Sequence, residues 1–562
     1  MVIGAIASQS FDSSVIIRSR WKKQFIGTVE VDVLEKVTDG WSIHLNFSTP
    51  VTNLQVWDAE LVSSDSGNYR HVLCNTLYNS DLEAGKHLHL MLMGNVDEDK
   101  LLTVDVSMSH EPLPVAEAEE QNLPGNSTTY DYNMVLHLSI LFYEAQRSGH
   151  LPSTTRVPWR YDSALYDMGK HGEDLTGGYY DAGDHLKFTH TNAYAASVLA
   201  WGLIEYVDAY EAGGMVGQML DTIRWATDYL IKSHTGLEEF YYMVGDANDH
   251  AYWGRPEDMT MIRPASVITP QNPGTEPCAS AAAALAAAAI AFRDTDSTYS
   301  DTMTQHAKEL YDLGNNYRLN YNDNGFYKSG SYADDLCWAA IWLYRATSEQ
   351  RYLDDAEQHY IEFELFKKGY SFAWGDVKAG CQLMLFLVTN NAEYYNDFVT
   401  FMDGWLPGGT IPYTDNGLVF RDEWGSLRYA GGASWIALVA ADNGIRVNTY
   451  REFAKSQIGY ILGDTGRSYL IGFGKDYPHY PHHRSSSCPK PPDLCTWGNA
   501  FGISTPNYHV LYGGLVGGPT DLSDTYTDSR ENYFENEVAI DYNAGFQSAV
   551  AALQHLKLTS QL

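Results

Sequence analysis

Two aspartates, Asp181 and Asp184, are the first residues in this sequence whose type and spacing suggest chemistry. They lie three positions apart in the segment LTGGYYDAGDHLKF, Leu175–Phe188. The neighbouring glycines Gly177 and Gly178 disfavour a helix and let the backbone approach a ligand. The segment therefore predicts a tight loop that presents two carboxylates. An Asp-rich surface turn, or half of a calcium loop, would have the same pattern.

A second acidic segment, Tyr526–Phe546, lies more than 300 positions downstream. Asp528 and Glu537 stand nine positions apart in it, and Glu537 comes directly before an apolar run. A glutamate at a partly buried, apolar position tends to have a raised pKa, which is what a general acid needs. The alternative is a glutamate that interacts with the dipole at a helix N-terminus.

A third segment, Ser468–Ser487, places His479, His482, His483 and Arg484 in a loop rich in glycine and proline. Clustered histidines could bind a metal, but this spacing fits no standard zinc site and no cysteine is well placed. A histidine and an arginine that donate hydrogen bonds to a polyhydroxylated substrate fit the segment better.

The remaining chain must hold these segments together, and its 562 residues exceed one ordinary core. Residues 21–108 alternate apolar and polar side chains, which predicts a β-sandwich, with strands at Thr28–Val33, Trp41–Phe47 and His87–Met93. A proline-rich, acidic linker without apolar periodicity follows. The predicted domains are therefore 1–110 (a β-sandwich), 111–128 (the linker) and 129–562.

The third region changes to helical spacing, and long Gly/Pro/Asp-rich loops separate its helices. About a dozen helices without βα alternation favour an all-α barrel or toroid whose loops form a binding face. The predicted helices are Met134–Gln146, Ala193–Tyr210, Met215–Ser233, Ala279–Phe292, Leu336–Ala346, Arg351–Phe366, Leu383–Val388, Ala392–Met402, Leu427–Asp442, Thr449–Gly459 and Asp541–Leu556.

Composition restricts the partners. The formal charge of −34 disfavours nucleic acid and anionic membranes, which would be repelled. No run is expected to approach 18 apolar residues, so no membrane span is predicted. Aromatic residues make up 13% of the chain, which suits stacking on sugars.

Sequons at Asn46 and Asn126 hint at secretion, although no signal peptide is evident. Cys488 and Cys495 are predicted to form a local disulfide, and Cys278 and Cys337 to be buried thiols.

Three long motifs together carry a family resemblance: LTGGYYDAGD, the SYLIGFG to PHHRSSS loop, and the NYFENEVAIDYNAGF segment. Together with five shorter motifs, they make the chain resemble glycoside hydrolase family 9, the inverting cellulases. The shorter motifs follow the order of that family: YEAQRSG (143–149), WRYDSAL (159–165), YWGRPEDM (252–259), WGSLRYA (424–430) and ILGD (461–464). The resemblance covers most of 130–556. It implies an (α/α)6 barrel with a cleft across its loop face, and hydrolysis of internal β-1,4-glucosidic bonds.

The resemblance also implies residue roles. Glu537 would be the general acid, and Asp184 the base that activates water with help from Asp181. Asp528 would support the segment that carries the acid, and Tyr542 would line the site. His482 and Arg484 would bind substrate beside the cleavage point. Trp424 and Trp253 would stack on sugars, or else lie in the core.

Two departures from the family pattern bear on substrate preference. Thr189–Ala193 reads THTNA where many members have GFPMA, and Ser329 stands where a stacking tryptophan is usual. Asp334, Asp335 and Asp376 match positions that hold a structural calcium in some members. Oxygen ligands suit that cation, but acidic residues at helix starts are the alternative. No cofactor is needed for the chemistry itself.

The N-terminal region resembles a family 2 carbohydrate-binding module. Trp21, Trp57 and Tyr78 match the exposed aromatic strip of that module, whereas Trp41 lies within an alternating strand and is expected in the core. The disulfide usual in such modules is absent, because Cys74 is the only cysteine before the linker.

These observations predict a secreted, monomeric endo-β-1,4-glucanase that acts on cellulose and binds no nucleic acid or membrane. One alternative is a hydrolase of mixed-linkage or other β-glucans, which the altered Thr189–Ala193 and Ser329 keep open. An alternative of another class is a carbohydrate-binding protein whose barrel has lost catalysis. Intact Asp181, Asp184 and Glu537 argue against that second alternative.

Overall fold

A computed structural model describes residues 2–7, 11–21, 24–38, 40–57, 59–75, 82, 84–96, 102–109 and 130–562. These residues divide into two compact units, one comprising Met1–Ser127 with Leu151–Tyr161 and the other Thr128–His150 with Asp162–Leu562. The predicted linker 111–128 and Tyr78 lie outside the described residues. So do the side chains of Trp21 and Trp57, whose backbones belong to strands.

The first unit contains two antiparallel sheets. Its strands are β1 Val2–Ala7, β2 Phe11–Trp21, β3 Gln24–Val33, β4 Ser42–Phe47, β5 Thr52–Trp57, β6 Glu60–Ser64, β7 Arg70–Cys74, β8 His87–Asn95 and β9 Val104–Ser109. One sheet has the order β1-β2-β3-β8-β5 and the other β6-β7-β4-β9. The three predicted strands correspond to β3, β4 and β8.

Alternating side chains of both sheets form one hydrophobic core in this unit. Val29, Val31 and Val33 of β3 are buried, while Asp32 between them is exposed, as the two-residue period of a strand requires. Trp41 is fully buried in the same core, which confirms the core position expected for it.

The second unit is helical. Its helices are α1 Tyr132–Ala145, α2 Thr189–Glu205, α3 Val207–Ala212, α4 Val216–Ser233, α5 Thr275–Phe292, α6 Ser297–Asn316, α7 Ala333–Thr347, α8 Gln350–Glu362, α9 Lys378–Thr389, α10 Ala392–Asp403, α11 Ser426–Asp442, α12 Val447–Leu462, α13 Arg484–Ser487, α14 Tyr533–Asn536 and α15 Ile540–Leu558, and its short strands are β10 Lys187–Phe188, β11 Phe240–Val244 and β12 Ala265–Ile268.

Six of these helices close a ring, because α2, α5, α7, α9, α11 and α15 each pack against the next and α15 returns to α2. Six further helices pack against this ring and form an outer layer: α4, α6, α8, α10, α12 and α1. Inner helices such as α5 are buried nearly all round, whereas the outer α4, α6 and α8 bury one face only. The arrangement is an (α/α)6 barrel, which confirms the helical-barrel prediction.

Two details of the barrel differ from expectation. Helix α6 is missing from the predicted helices, because its sequence is mostly polar and only one stripe of it is buried. Helix α5 is long and apolar enough to cross a membrane, with a mean hydropathy of 1.4 over 18 residues, so the expectation that no run approaches this length is wrong. Since 89% of that helix is buried within its unit, it is accounted for as a core helix.

Candidate active site

The three motif segments meet at one place in the helical unit through backbone hydrogen bonds. The Ile540 amide donates to the Asp181 carbonyl at 2.9 Å, and the Arg484 amide donates to the Gly183 carbonyl at 2.9 Å. A Cβ atom at Gly183 would lie 1.9 Å from the His482 carbonyl oxygen. Glycine between the two aspartates therefore allows the histidine loop to cross directly over them. His482 in turn forms a parallel bridge with Glu537.

Asp184 is held in its charged form. His250 Nε2 lies 3.0 Å from its Oδ2, and the Leu186 amide donates to its Oδ1 at 3.3 Å. Burial raises the pKa of Asp184, but the hydrogen bond from His250 and the positive charge of Arg484 outweigh it and leave the pKa below its usual value. Its side chain is 15% exposed, so a proton-accepting carboxylate is open to solvent or substrate.

Glu537 has the opposite electrostatic environment. Burial, then the negative charges of Asp184 and Asp181, raise its pKa well above the usual value. The residue is nevertheless only half-buried, so a molecule at the site can reach it. A carboxyl group that keeps its proton beside one that has lost it is the arrangement that general acid and base catalysis requires.

Asp181 is buried and its carboxylate is fully engaged. Thr191 Oγ1 and the Tyr327 hydroxyl both form short hydrogen bonds with it. Burial first, and the charge of Asp541 second, raise the pKa of Asp181 to about 8. The charge of the neighbouring Asp184 also raises this pKa, but burial is the main cause. The two hydroxyl donors therefore hold the Asp181 side chain in place.

The family profile described as glycosyl hydrolase family 9 matches residues 132–550, three-quarters of the chain, and includes every residue of this site. The chain belongs to glycosyl hydrolase family 9. Family 9 enzymes are glycoside hydrolases, and the carboxylates described above lie within the matched range.

Named relatives agree with the family. The chain is 43% identical over 448 residues to Endoglucanase A of Bacillus pumilus, covering 76% of this chain and 67% of that protein. It is 42% identical over 446 residues to Endoglucanase B of Cellulomonas fimi, of which it spans only 42%.

Solved structures also resemble it. The endoglucanase of the termite Nasutitermes takasagoensis has 50% identity and a TM-score of 0.75, covering 76% of this chain and 100% of that one. The cellobiose complex of cellulase Cel9M of C. cellulolyticum has 35% identity and a TM-score of 0.72, covering 77% and 100%.

Two residues of this family 9 site, Asp249 and His250, were missed by sequence reasoning. Asp249 pairs with Arg484 Nη1 through both its carboxylate and its carbonyl oxygen, and His250 contacts Asp184. Arg484 is 3% exposed and thus acts on the site as a buried charge; the predicted contact with substrate stays a prediction. The sequence signal that could have indicated them is their position, an adjacent aspartate and histidine just before the YWGRPEDM motif.

His482 is a neutral residue at this site. Its Nδ1 lies 2.7 Å from the Arg530 carbonyl and donates to it, which leaves Nε2 as an acceptor. Burial lowers the pKa of His482 to about 4. The histidine can therefore accept a hydrogen bond from a sugar hydroxyl at that nitrogen, rather than donate one as expected from the sequence.

Asp528 positions the histidine loop. Its two carboxylate oxygens accept hydrogen bonds from the His479 and Tyr480 amides, at 2.7 and 3.0 Å. A carboxylate engaged in this way anchors backbone, so Asp528 supports the loop rather than taking part in proton transfer. A cavity of about 310 Å³ lies beside it, lined by Tyr480, Phe501, Gly502, Ile503, Ser504, Asp528, Ser529, Arg530 and Glu531.

The predicted aromatic platforms separate into two groups. Trp424 is 40% exposed and packs on Phe534, so one part of its ring is available to a sugar. Trp253 is 3% exposed and packs in a small core with Cys488 and Ala500. The structure therefore contradicts stacking of a sugar on Trp253 and favours the core alternative. Tyr542 is also buried, beneath Gly425, and its pKa is raised by burial.

The aspartates predicted to bind calcium lie near enough to interact, since burial and then the charges of Asp335 and Asp376 raise the pKa of Asp334. Among the described residues, the groups of three whose ligand atoms lie within 4.8 Å of one another are His234 with His306 and Glu309, and Asp184 with Asp249 and His250. Asp334 instead accepts from the Val377 amide, Asp335 from Ser280 Oγ, and Asp376 from the Tyr370 and Lys378 amides. Calcium binding by these three carboxylates stays a prediction.

The contact between His250 and Asp184 leads to a prediction about pH. His250→Ala removes a hydrogen bond and a positive charge that lower the pKa of Asp184, so that pKa should rise. The acidic limb of the pH profile of kcat/KM should then move to higher pH, because Asp184 stays protonated over a wider range. The measurement is initial rate against pH on a soluble glucan.

A matched control is His150→Ala. His150 also pairs with an aspartate, Asp162, at 2.7 Å, but its side chain is 77% exposed and lies outside the three segments. Its removal should leave the acidic limb in place. An unmoved limb in the His250 variant would contradict the electrostatic role given to that residue.

Proposed function

We propose that this chain is an endo-β-1,4-glucanase that hydrolyses internal bonds of cellulose with inversion at the anomeric carbon. The observation that carries the proposal is the opposite shift of the two pKa values, Asp184 downward and Glu537 upward, at one site of a family 9 barrel. Family membership supports hydrolysis of a glycoside, and the names of the relatives support cellulose or cello-oligosaccharides as the substrate.

The proposed reaction uses each carboxyl group once. Glu537 gives its proton to the glycosidic oxygen as the bond to the anomeric carbon breaks. Asp184 takes a proton from a water molecule whose oxygen attacks that carbon from the opposite face, so a β-linked substrate gives an α-product. The new proton on Asp184 and the lost proton on Glu537 are then exchanged with solvent, which restores the starting state. Inversion of this kind needs carboxyl groups roughly 6.5–9.5 Å apart, to leave room for the water.

Proton NMR of the first product tests the proposal. On a soluble cello-oligosaccharide, the α-anomer should appear first and then decay to the equilibrium mixture. A β-anomer as first product would mean a retaining mechanism with Asp184 as nucleophile. Release of no reducing ends from carboxymethyl-cellulose would favour the non-catalytic carbohydrate-binding alternative. Faster cleavage of mixed-linkage glucan than of cellulose would favour the alternative substrate.

We also propose that the two N-terminal sheets form a β-sandwich that binds cellulose. The support is the alternation of β3 and β4, the shared core, and the resemblance of Trp21, Trp57 and Tyr78 to an exposed aromatic strip. A solved family 9 endoglucanase, J30, covers 90% of this chain with a TM-score of 0.63, but at 20% identity it bears on fold alone.

Substitution of the aromatic strip leads to a second prediction. In the full chain, the triple change Trp21→Ala, Trp57→Ala and Tyr78→Ala should weaken binding to crystalline cellulose, because each ring would lose its stacking contact with a sugar face. Activity on a soluble glucan should stay nearly the same. Tyr69→Ala is the matched control, since Tyr69 is an aromatic residue of the same unit that is 43% exposed. Equal retention of the triple variant on solid cellulose would contradict the proposal.

Secretion is proposed on two features. A disulfide joins Cys488 and Cys495, as the sequence predicts, and disulfides persist in oxidising compartments. The sequons at Asn46 and Asn126 are the second feature. The other cysteines among the described residues, Cys74, Cys278, Cys337 and Cys381, are all buried.

A further inference from the structure

A cluster of two histidines and a glutamate lies in the outer helical layer, outside the active site. His234 is the C-cap residue of α4, and His306 and Glu309 lie three positions apart on α6. Residues with that spacing share one face of a helix. Their ligand atoms all lie within 4.8 Å of one another. None of the three takes part in the proposed reaction.

The geometry of the cluster brings nitrogen and oxygen lone pairs together. His234 Nδ1 lies 2.8 Å from His306 Nδ1 and 3.9 Å from Glu309 Oε2. Gln305 donates to the other oxygen, Glu309 Oε1, at 2.6 Å, which leaves Oε2 directed toward the histidines. Two facing imidazole nitrogens can share only one hydrogen, so at least one of them presents a lone pair.

We propose that His234, His306 and Glu309 bind a zinc ion that ties the end of α4 to α6. Two imidazole nitrogens and one carboxylate oxygen are a common zinc donor set, with a fourth position left for water. Nitrogen ligands exclude calcium and magnesium as the preferred ions, because those cations take oxygen.

The protonation state of the cluster suits a metal. Burial, and then the neighbouring His306, lower the pKa of His234 to about 4, and burial lowers the pKa of His306 as well. Both rings are thus neutral near pH 7, the form that coordinates a metal. Ligation through both Nδ1 atoms requires only that the shared hydrogen move to an Nε2 atom, so binding of zinc need not release a proton from the two rings.

Only a small adjustment is required for coordination. Tetrahedral zinc with ordinary bond lengths separates its ligand atoms by about 3.3 Å. The two nitrogens, 2.8 Å apart, would separate by roughly half an ångström, and Oε2 would approach by a similar amount. His234 is 1% exposed in its side chain, whereas Glu309 is 24% exposed. The ion can therefore enter from the α6 side and bind against a fixed ligand.

The position of the cluster gives the ion a structural role. His234 ends α4, a short turn follows, and β11 then leads to the segment that carries Asp249 and His250. A zinc ion that holds His234 to α6 would fix the start of this connection. The ion is expected to stabilise the folded enzyme and to be absent from the chemical step.

Metal analysis of the full chain tests the proposal. The enzyme is stripped with a chelator, dialysed against zinc chloride alone, and assayed for bound metal and for melting temperature. We expect about one zinc equivalent, and a melting temperature that rises with zinc concentration, as ligand linkage requires. His306→Gln and Glu309→Gln each remove a ligand, so each should weaken zinc binding by more than the roughly 10–100-fold that loss of an outer-shell partner costs. The activity of the metal-free variants on a soluble glucan shows that they are folded.

The matched control is His359→Gln. His359 and Glu362 repeat the three-residue spacing on α8, with His359 Nδ1 3.9 Å from Glu362 Oε2, but His359 faces the Tyr311 hydroxyl instead of a second histidine. This variant should keep its zinc. If a substitution on α6 prevents folding, the visible spectrum of the cobalt-loaded wild-type enzyme tests the site instead. Cobalt bound by histidine in a four-coordinate site absorbs strongly, so the proposal expects a strong band. No bound zinc in the wild type, equal binding after His306→Gln, or an octahedral cobalt spectrum would overturn the proposal.

Discussion

Glu537→Gln is expected to abolish cleavage of unactivated glucans, with a fall in kcat of roughly 10²–10⁴-fold, the usual size of general acid catalysis. The glutamine side chain keeps the shape of the glutamic acid but has no proton of comparable acidity to give. Aryl glycosides with good leaving groups should be affected far less, because their leaving oxygen needs little protonation. The measurement is kcat on carboxymethyl-cellulose and on a nitrophenyl cello-oligosaccharide.

The pH profile adds a second readout for this variant. Glu537 has a pKa well above its usual value, so it should control the alkaline limb of the wild-type profile. That limb should disappear in Glu537→Gln on the activated substrate. Glu452→Gln, an exposed glutamate on α12, is the matched control and should change neither rate. An equal loss on both types of substrate would show that Glu537 is not the acid.

The motifs predict which residues form the site. The hydrogen bonds and charge pairs around those residues could be learned only from the folded structure. The bonds that join Asp181 to Ile540 and Gly183 to Arg484 link segments some 300 or more positions apart. Nothing local in the sequence indicates the register of such contacts. The raised pKa of Glu537 could be expected from its apolar neighbours, but the pairing of Asp249 with Arg484 could not, since the two are 235 positions apart.

Helix predictions succeeded where burial is extensive and failed where it is not. The inner helix α5 is rich in alanine and buried on all sides, so composition alone indicates a helix. Helix α6 buries one stripe, including Met303, Ala307 and Leu310, among polar residues, and its weak signal was missed. The same helix carries two of the three proposed zinc ligands, so the cluster became visible only in the structure.

The tryptophans show a related limit. Trp424 and Trp253 lie in comparable motif contexts, and both were candidates for stacking on a sugar. Packing with Cys488 and Ala500, next to the disulfide loop, buries Trp253, whereas Trp424 stays 40% exposed. The sequence gives the type of side chain, but exposure depends on which loop covers it, and that is a property of the assembled barrel.

Asp184→Asn is expected to lower kcat on every substrate by roughly 10²–10⁴-fold, because the attacking water loses its base whatever the leaving group. This pattern distinguishes it from Glu537→Gln, whose loss depends on the leaving group. The acidic limb of the pH profile should also disappear, since in the wild type it reports protonation of Asp184. KM should change little, because the asparagine can still hydrogen-bond to His250.

A small anion gives the sharpest check of the role of Asp184. Azide needs no base, and in Asp184→Asn it can occupy the space of the attacking water and restore cleavage of an activated β-glycoside, with an α-glycosyl azide as the product. Asp174→Asn is the matched control, because Asp174 lies just before the same loop but is exposed and pairs with Lys232. It should keep wild-type activity and show no response to azide. A β-glycosyl azide would instead indicate a covalent intermediate on a nucleophile other than Asp184. An activity loss that depends on the leaving group would mean that Asp184, and not Glu537, is the acid.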